Sequence, residues 1–188
     1  NEHKVKEARG IFEKFGIEVD HENPGYPEIQ GSIEEVAAYG AKYVANLRQP
    51  NPHNPSCIVI DMDSTMCFNT TGRPWYGEGS TEAMIDDIPN KGVVNLVKAQ
   101  SYPIIVCTGR NKSQREVTEK WLTNHGIYAK DFYMREDGDN RNGTEVKSEL
   151  INQILEKYNI VAIFEDCEPI VAKFREMGLT VLQPNKGV

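Results

Sequence analysis

The sequence predicts an α/β protein, a doubly wound parallel sheet, on three observations. Short apolar runs rich in Ile and Val recur at residues 57–60, 102–107 and 160–164. Polar or acidic residues close each run, as expected where buried strands of a parallel sheet reach its carboxyl edge. Amphipathic stretches of helical period separate them, so strand and helix alternate along the chain.

The elements follow in order. Residues 1–52 form a mainly helical N-terminal segment: residues 4–15 carry spaced apolar positions, residues 16–19 make a short strand, and Ser32 with Glu35 is a capping box opening a helix to Leu47. Pro50, Pro52 and Pro55 then stiffen a linker, because closely spaced prolines forbid both helix and ladder, and a second domain is placed over residues 53–188. Within it come the first strand, a glycine-bearing loop at 69–80, and a helix at 92–100. The second strand follows, then a helix at 112–125 stopped by Gly126, a strand at 131–135, and a polar loop at 136–143. A helix at 146–158, the strand at 160–164, a helix at 168–177 and a closing strand at 180–182 complete it.

At 188 residues the chain has room for one full core and an appendage. No run reaches the roughly 20 apolar residues of a membrane span and no signal peptide is visible, so a cytoplasmic protein without a membrane partner is expected. The chain begins with Asn, which points to processing, trimming or a longer parent. Cys57, Cys67, Cys107 and Cys167 form no CxxC and no pattern with His, and read as buried free thiols. The net charge of −7 argues against a broad nucleic-acid surface, yet leaves room for a few arginines gripping one phosphorylated strand end.

Three strand ends carry chemical signatures: Asp61 and Asp63, then Thr108-Gly109-Arg110, then Glu165-Asp166, with Lys147 near a helix start between the last two. Ligands of open α/β sheets sit just beyond the carboxyl ends of the strands. A single acid pair reads more readily as a solvated turn or an N-cap, but four signatures in this order point to one site. The chemistry they suit is phosphoryl transfer through an aspartyl-phosphate. Asp61 is the nucleophile and a metal ligand, and Asp63 protonates the leaving oxygen and then activates water. Thr108 and Lys147 hold phosphate oxygens, and Asp166 completes a magnesium site.

This set resembles the haloacid dehalogenase superfamily, whose four motifs stand here as DMDST, the Thr of CTGR, Lys147 and FEDCE, over residues 56–185. The resemblance implies a Rossmann-like sheet, magnesium, and phosphatase or mutase chemistry from the acid at position 63; Ser64 stands where many members have Gly. The two intervals between motifs, 66–107 and 109–146, leave no room for a large cap, which implies an open site and a large substrate. The segments Gly72-Arg73, Thr108-Gly109-Arg110 and Met134 to Arg141 further resemble the 3′-phosphatase domain of phage-type polynucleotide kinase–phosphatases. That resemblance places Arg73, Gly109, Arg110, Arg135 and Arg141 around the substrate, and Glu165 beside Asp61, Asp63 and Asp166 at the metal. It implies nucleic-acid ends as substrate, and a kinase domain or nucleic-acid ligase as partner. For each arginine a surface salt bridge is the plain alternative.

No GxxxxGK[ST] loop exists, and residues 1–48 read either as the tail of a kinase domain or as a structural appendage. Residues 137–141 begin like a calcium loop but carry Arg141 at the fifth position and Asn142 where Gly is required. Trp75 and Tyr76 can stack on a base or pack their loop down, and His3, His21, His53 and His125 read as surface residues. The rival functions are a small-molecule or nucleotide phosphatase of the same fold, and a non-catalytic module that binds a nucleic-acid end or a protein.

Overall fold

A computed structural model describes residues 50–74 and 80–185. The chain divides into two units, Asn1–Asn46 and Leu47–Val188, and every described element lies in the second. The elements expected over residues 4–47, and Trp75 and Tyr76, fall outside the described residues.

Strand β1 (Ser56–Ile60) is the centre of the sheet. It pairs in parallel with β4 (Ile104–Asn111) on one side and β6 (Asn159–Phe164) on the other. Outside these lie β5 (Ala129–Arg135) and β7 (Val181–Leu182), giving the order β5-β4-β1-β6-β7. Alternation along β1 divides the core in two. Cys57 and Val59 face helices α4 (Gly143–Lys157) and α5 (Glu168–Glu176), with Ile151, Ile154 and Phe174 fully buried against them. Ile58 and Ile60 face α2 (Lys91–Ala99) and α3 (Arg115–Asn124), where Val97 and Trp121 are fully buried. Both faces are covered, which is why the strands read as continuous apolar runs.

The prolines before β1 are fastened down. Asn159 accepts from the Asn51 N–H at 2.9 Å and donates to the carbonyls of Asn51 and Asn54, so the linker is docked where β6 begins.

Two features were not expected. Between β1 and β4, β2 (Cys67–Phe68) pairs antiparallel with β3 (Ile88–Pro89), with the four-residue α1 (Ser80–Ala83) in the same insertion. These elements are too short to leave a period in the sequence, and no large cap stands among the described residues. Second, β4 does not end at Thr108 but continues to Asn111, with an irregularity: Thr108 pairs with Met134 and Asn111 with Arg135. Gly109 and Arg110 are therefore two extra residues on β4, a bulge that re-aims the Arg110 side chain. The four cysteines are free thiols; Cys57, Cys67 and Cys107 are buried and Cys167 partly so. His53 is exposed as expected, but His125 is partly buried, its ring 4.1 Å from that of Trp121.

Candidate active site

Asp61 follows β1 directly, and its backbone N–H donates to the Phe164 carbonyl at 3.0 Å, so the β1 and β6 ends lie side by side. Glu165 and Asp166 leave β6 at that point. Lys147 reaches them from α4, whose N-cap Asn142 accepts from the Thr144 N–H at 2.8 Å. With Leu150, Ile151 and Ile154, Lys147 forms the buried stripe of α4, at spacings that put a charged side chain on the core face. A lysine there needs partners. Its ammonium lies 2.7 Å from Asp61 Oδ1 and 2.6 Å from Glu165 Oε2.

The group is short of positive charge. Asp61, Glu165 and Asp166 are all buried, each offers an oxygen within 4.8 Å of the others, and Lys147 pairs with Asp61 and Glu165. Burial pushes the Asp61 carboxyl up to about 7; Lys147 opposes the shift and Glu165 adds to it. Asp166 is raised as well, by burial and then by Asp61, while its bond from Thr65 works the other way. Burial disfavours the Lys147 charge, but Asp61 and Glu165 outweigh it and its proton is held tightly. Thr65, itself fully buried, donates to Asp166 Oδ1 at 2.9 Å and so fixes that carboxylate. Three close, buried carboxylate oxygens fit a hard divalent cation such as magnesium, and nothing in the set favours a softer metal.

Asp63 is handled differently. Arg110 donates to it through Nε (2.8 Å) and Nη2 (2.7 Å), and Arg73 through Nη2 (2.8 Å). Behind both guanidiniums lies Asp87, whose side chain is fully buried and accepts from Arg73 at 2.9 and 2.6 Å and from Arg110 at 3.0 Å. Burial would raise the Asp63 carboxyl, but Arg110 and Arg73 hold it below the usual range. Two carboxylates against two guanidiniums make this second cluster neutral. With Cys67 it has the spacing of a metal site, but the guanidiniums already occupy its oxygens. Asp63, expected among the metal ligands, thus faces arginines.

The remaining expected residues separate. Thr108 is buried and its hydroxyl oxygen accepts from the Arg110 N–H at 3.3 Å, which leaves its proton free to donate. Arg135 bonds the carbonyls of Gly109 (3.1 Å), Asp139 (3.1 Å) and Arg141 (2.8 Å), joining the β4 bulge to the loop before α4. Arg141 is exposed and pairs with Asp139, Glu145 and Glu149. Sequence reasoning missed Asp87 and gave Thr65 no role. The one available signal for Asp87 is the acid pair Asp86-Asp87 set between Ile85 and Ile88, which does not say which acid turns inward; the Trp121 indole N–H donates to the Asp87 carbonyl at 2.8 Å.

Comparison with known proteins agrees with this fold. A family model described as the polynucleotide kinase PNKP phosphatase domain matches residues 55–188. Two solved chains from Pnkp1/Rnl/Hen1 assemblies, one titled an RNA repair complex, superpose on 75 % of this chain. Their TM-scores are 0.67 and 0.66 at 27 % and 29 % identity, and 46 % and 49 % of those chains is covered. The N-terminal part is similar to something else: a Ham1 family model matches residues 1–75. A dITP/XTP pyrophosphatase of Methanothermobacter marburgensis is 36 % identical over 98 residues, covering 52 % of this chain and 48 % of that protein. One of Methanosarcina acetivorans is 53 % identical over 63 residues, covering 32 % and 34 %. The chain spans about half the length, or less, of these curated relatives.

Proposed function

The chain belongs to the family of polynucleotide kinase PNKP phosphatase domains, and on that premise we propose that it removes 3′-phosphates from DNA or RNA ends by transient phosphorylation of Asp61. The observation that carries this reading is Asp61 itself: a buried carboxylate bonded to Lys147 inside a group deficient in positive charge.

Asp61, Glu165 and Asp166 would hold a magnesium ion, which supplies the charge that offsets repulsion between a carboxylate and a phosphate dianion. Lys147 favours the ionised form of Asp61 against burial and has a third N–H for a phosphate oxygen. The Thr108 hydroxyl donates to a second phosphate oxygen. Asp63 is a carboxylate in the free protein, the form that takes a proton from the hydrolytic water. An arriving phosphate dianion adds negative charge beside Arg73 and Arg110, raising the proton affinity of Asp63 so that it can protonate the departing 3′ oxygen. Arg135 spends its bonds on carbonyls, so its charge remains available to the backbone of a polynucleotide. The likeness to a chain of an RNA repair complex supports a role in nucleic-acid repair.

The test is phosphate release, with magnesium and with chelator, from a 3′-phosphorylated oligonucleotide beside the matching 3′-mononucleotide. Metal-dependent release from the oligonucleotide, with little from the mononucleotide, is the expected result. Preference for the mononucleotide would keep the chemistry and replace the substrate class, and release from neither would leave a binding module.

A second reading is favoured by the Ham1 match over residues 1–75, which runs through Asp61 and Asp63. In it the chain acts on a nucleoside triphosphate such as dITP or XTP. Pyrophosphate release from these that survives Asp61→Asn would establish it.

A further inference from the structure

Beyond β7 the chain turns back over the ends of β6 and β1. The Leu182 carbonyl accepts from the Glu165 N–H at 3.2 Å. Gln183 Nε2 then donates to the Asp166 carbonyl at 3.0 Å and to Glu168 Oε2 at 3.1 Å. Two residues further, Asn185 Nδ2 donates to the Ser64 carbonyl at 2.9 Å. Asp166 and Ser64 belong to the two different loops that carry the acids. Ser64 also stands at φ +63°, a left-handed conformation that costs a residue with a Cβ about 1 kcal/mol, so its peptide needs holding. That peptide lies between Asp63 and Thr65, and Thr65 orients Asp166. Pro184 fixes one backbone angle between the two amides and limits what their ordering costs.

We infer that Gln183-Pro184-Asn185 is a positioning strap: Gln183 and Asn185 keep the two acid-bearing loops in register and so set the affinity for the divalent cation without touching it. The physical need is plain. Three buried carboxylates repel one another, and neutral amide bonds to the loop carbonyls resist their separation without adding charge. The inference rests on Asp61, Glu165 and Asp166 being the metal site.

The experiment is Mn2+ binding to the full chain, followed by the paramagnetic resonance signal of free Mn2+, for wild type, Asp166→Asn and the double variant Gln183→Ala/Asn185→Ala. Wild type should take up one ion and Asp166→Asn should lose it. The double variant should bind about tenfold more weakly, in the range seen when outer partners of metal ligands are removed. Its phosphate release at saturating Mn2+ should return to within about twofold of wild type, since the strap acts on affinity and not on the reacting groups. Should the double variant unfold, Asn185→Ala alone loses one bond and should weaken Mn2+ by about threefold. Equal Mn2+ affinity in wild type and in the folded tail variants would overturn the strap and leave the metal site standing. Failure of wild type itself to bind Mn2+ would overturn both.

Discussion

Asp61 and Asp63 stand two residues apart on one loop, yet the fold gives them opposite surroundings. Around Asp61, three buried carboxylates share one lysine. Around Asp63, two carboxylates share two arginines. The first cluster carries an excess of negative charge, and the second is neutral by itself. The contrast teaches that a DxD pair need not act as one unit: its first acid sits among unbalanced carboxylates, and its second is held by arginines.

The comparison can be broken most directly at Asp61. Asp61→Asn keeps the size of the side chain and removes the proposed nucleophile, and phosphate release should fall by a factor on the order of 10⁴ or more. The fold should persist, because the substitution removes a charge that burial disfavours; circular dichroism and melting check this.

At Asp87 the larger effect should be on stability. Asp87→Ala leaves two buried guanidiniums facing Asp63 alone, and losing one partner of a buried ionic network costs about 3–5 kcal/mol. Urea unfolding measures it. An effect confined to turnover, with stability unchanged, would deny the neutral-cluster description.

The two acids should also respond to pH with opposite signs in chelator. The folded-state value of Asp61 is raised, to about 7, above an unfolded value near 3.9. Its contribution to stability is therefore present below pH ~4 and is lost as pH rises through 7. Asp63 is lowered, so its contribution is present above the unfolded value and is lost as pH falls through the lowered one. Unfolding of wild type against Asp61→Asn should show the variant gaining relative stability between pH 4 and 7. A parallel pair of profiles would contradict the assignment.

The smallest effect belongs to the turn joining the two clusters. Ser64→Gly relieves the left-handed backbone but adds freedom to the unfolded chain, for a net gain of about 0.5 kcal/mol. The shift in urea midpoint reads it.

Much of this was legible in the sequence because it rests on local period. The strands β1, β4, β5 and β6 and the helices α2 to α5 follow apolar spacing, and Asp61, Thr108, Lys147, Glu165 and Asp166 fall at strand ends or a helix start. What escaped depends on contacts between distant residues. Asp87 matters only because a bulge in β4 and a ribbon after β1 bring Arg110 and Arg73 to it, and neither feature has a period. Arg141 matched a motif, yet its nearest acids, Asp139, Glu145 and Glu149, claim it. Ser64 is the converse case: its departure from Gly was visible as a letter, and only the φ angle gives that letter a cost.

The central claim is that Asp61, not Asp63, becomes phosphorylated. Borohydride added during turnover of a 3′-phosphorylated oligonucleotide reduces an acyl-phosphate to an alcohol, converting that aspartate to homoserine, and peptide mass spectrometry locates it. Conversion is expected at position 61, dependent on substrate and metal. Conversion at position 63, or phosphate release with no conversion at either, would contradict it.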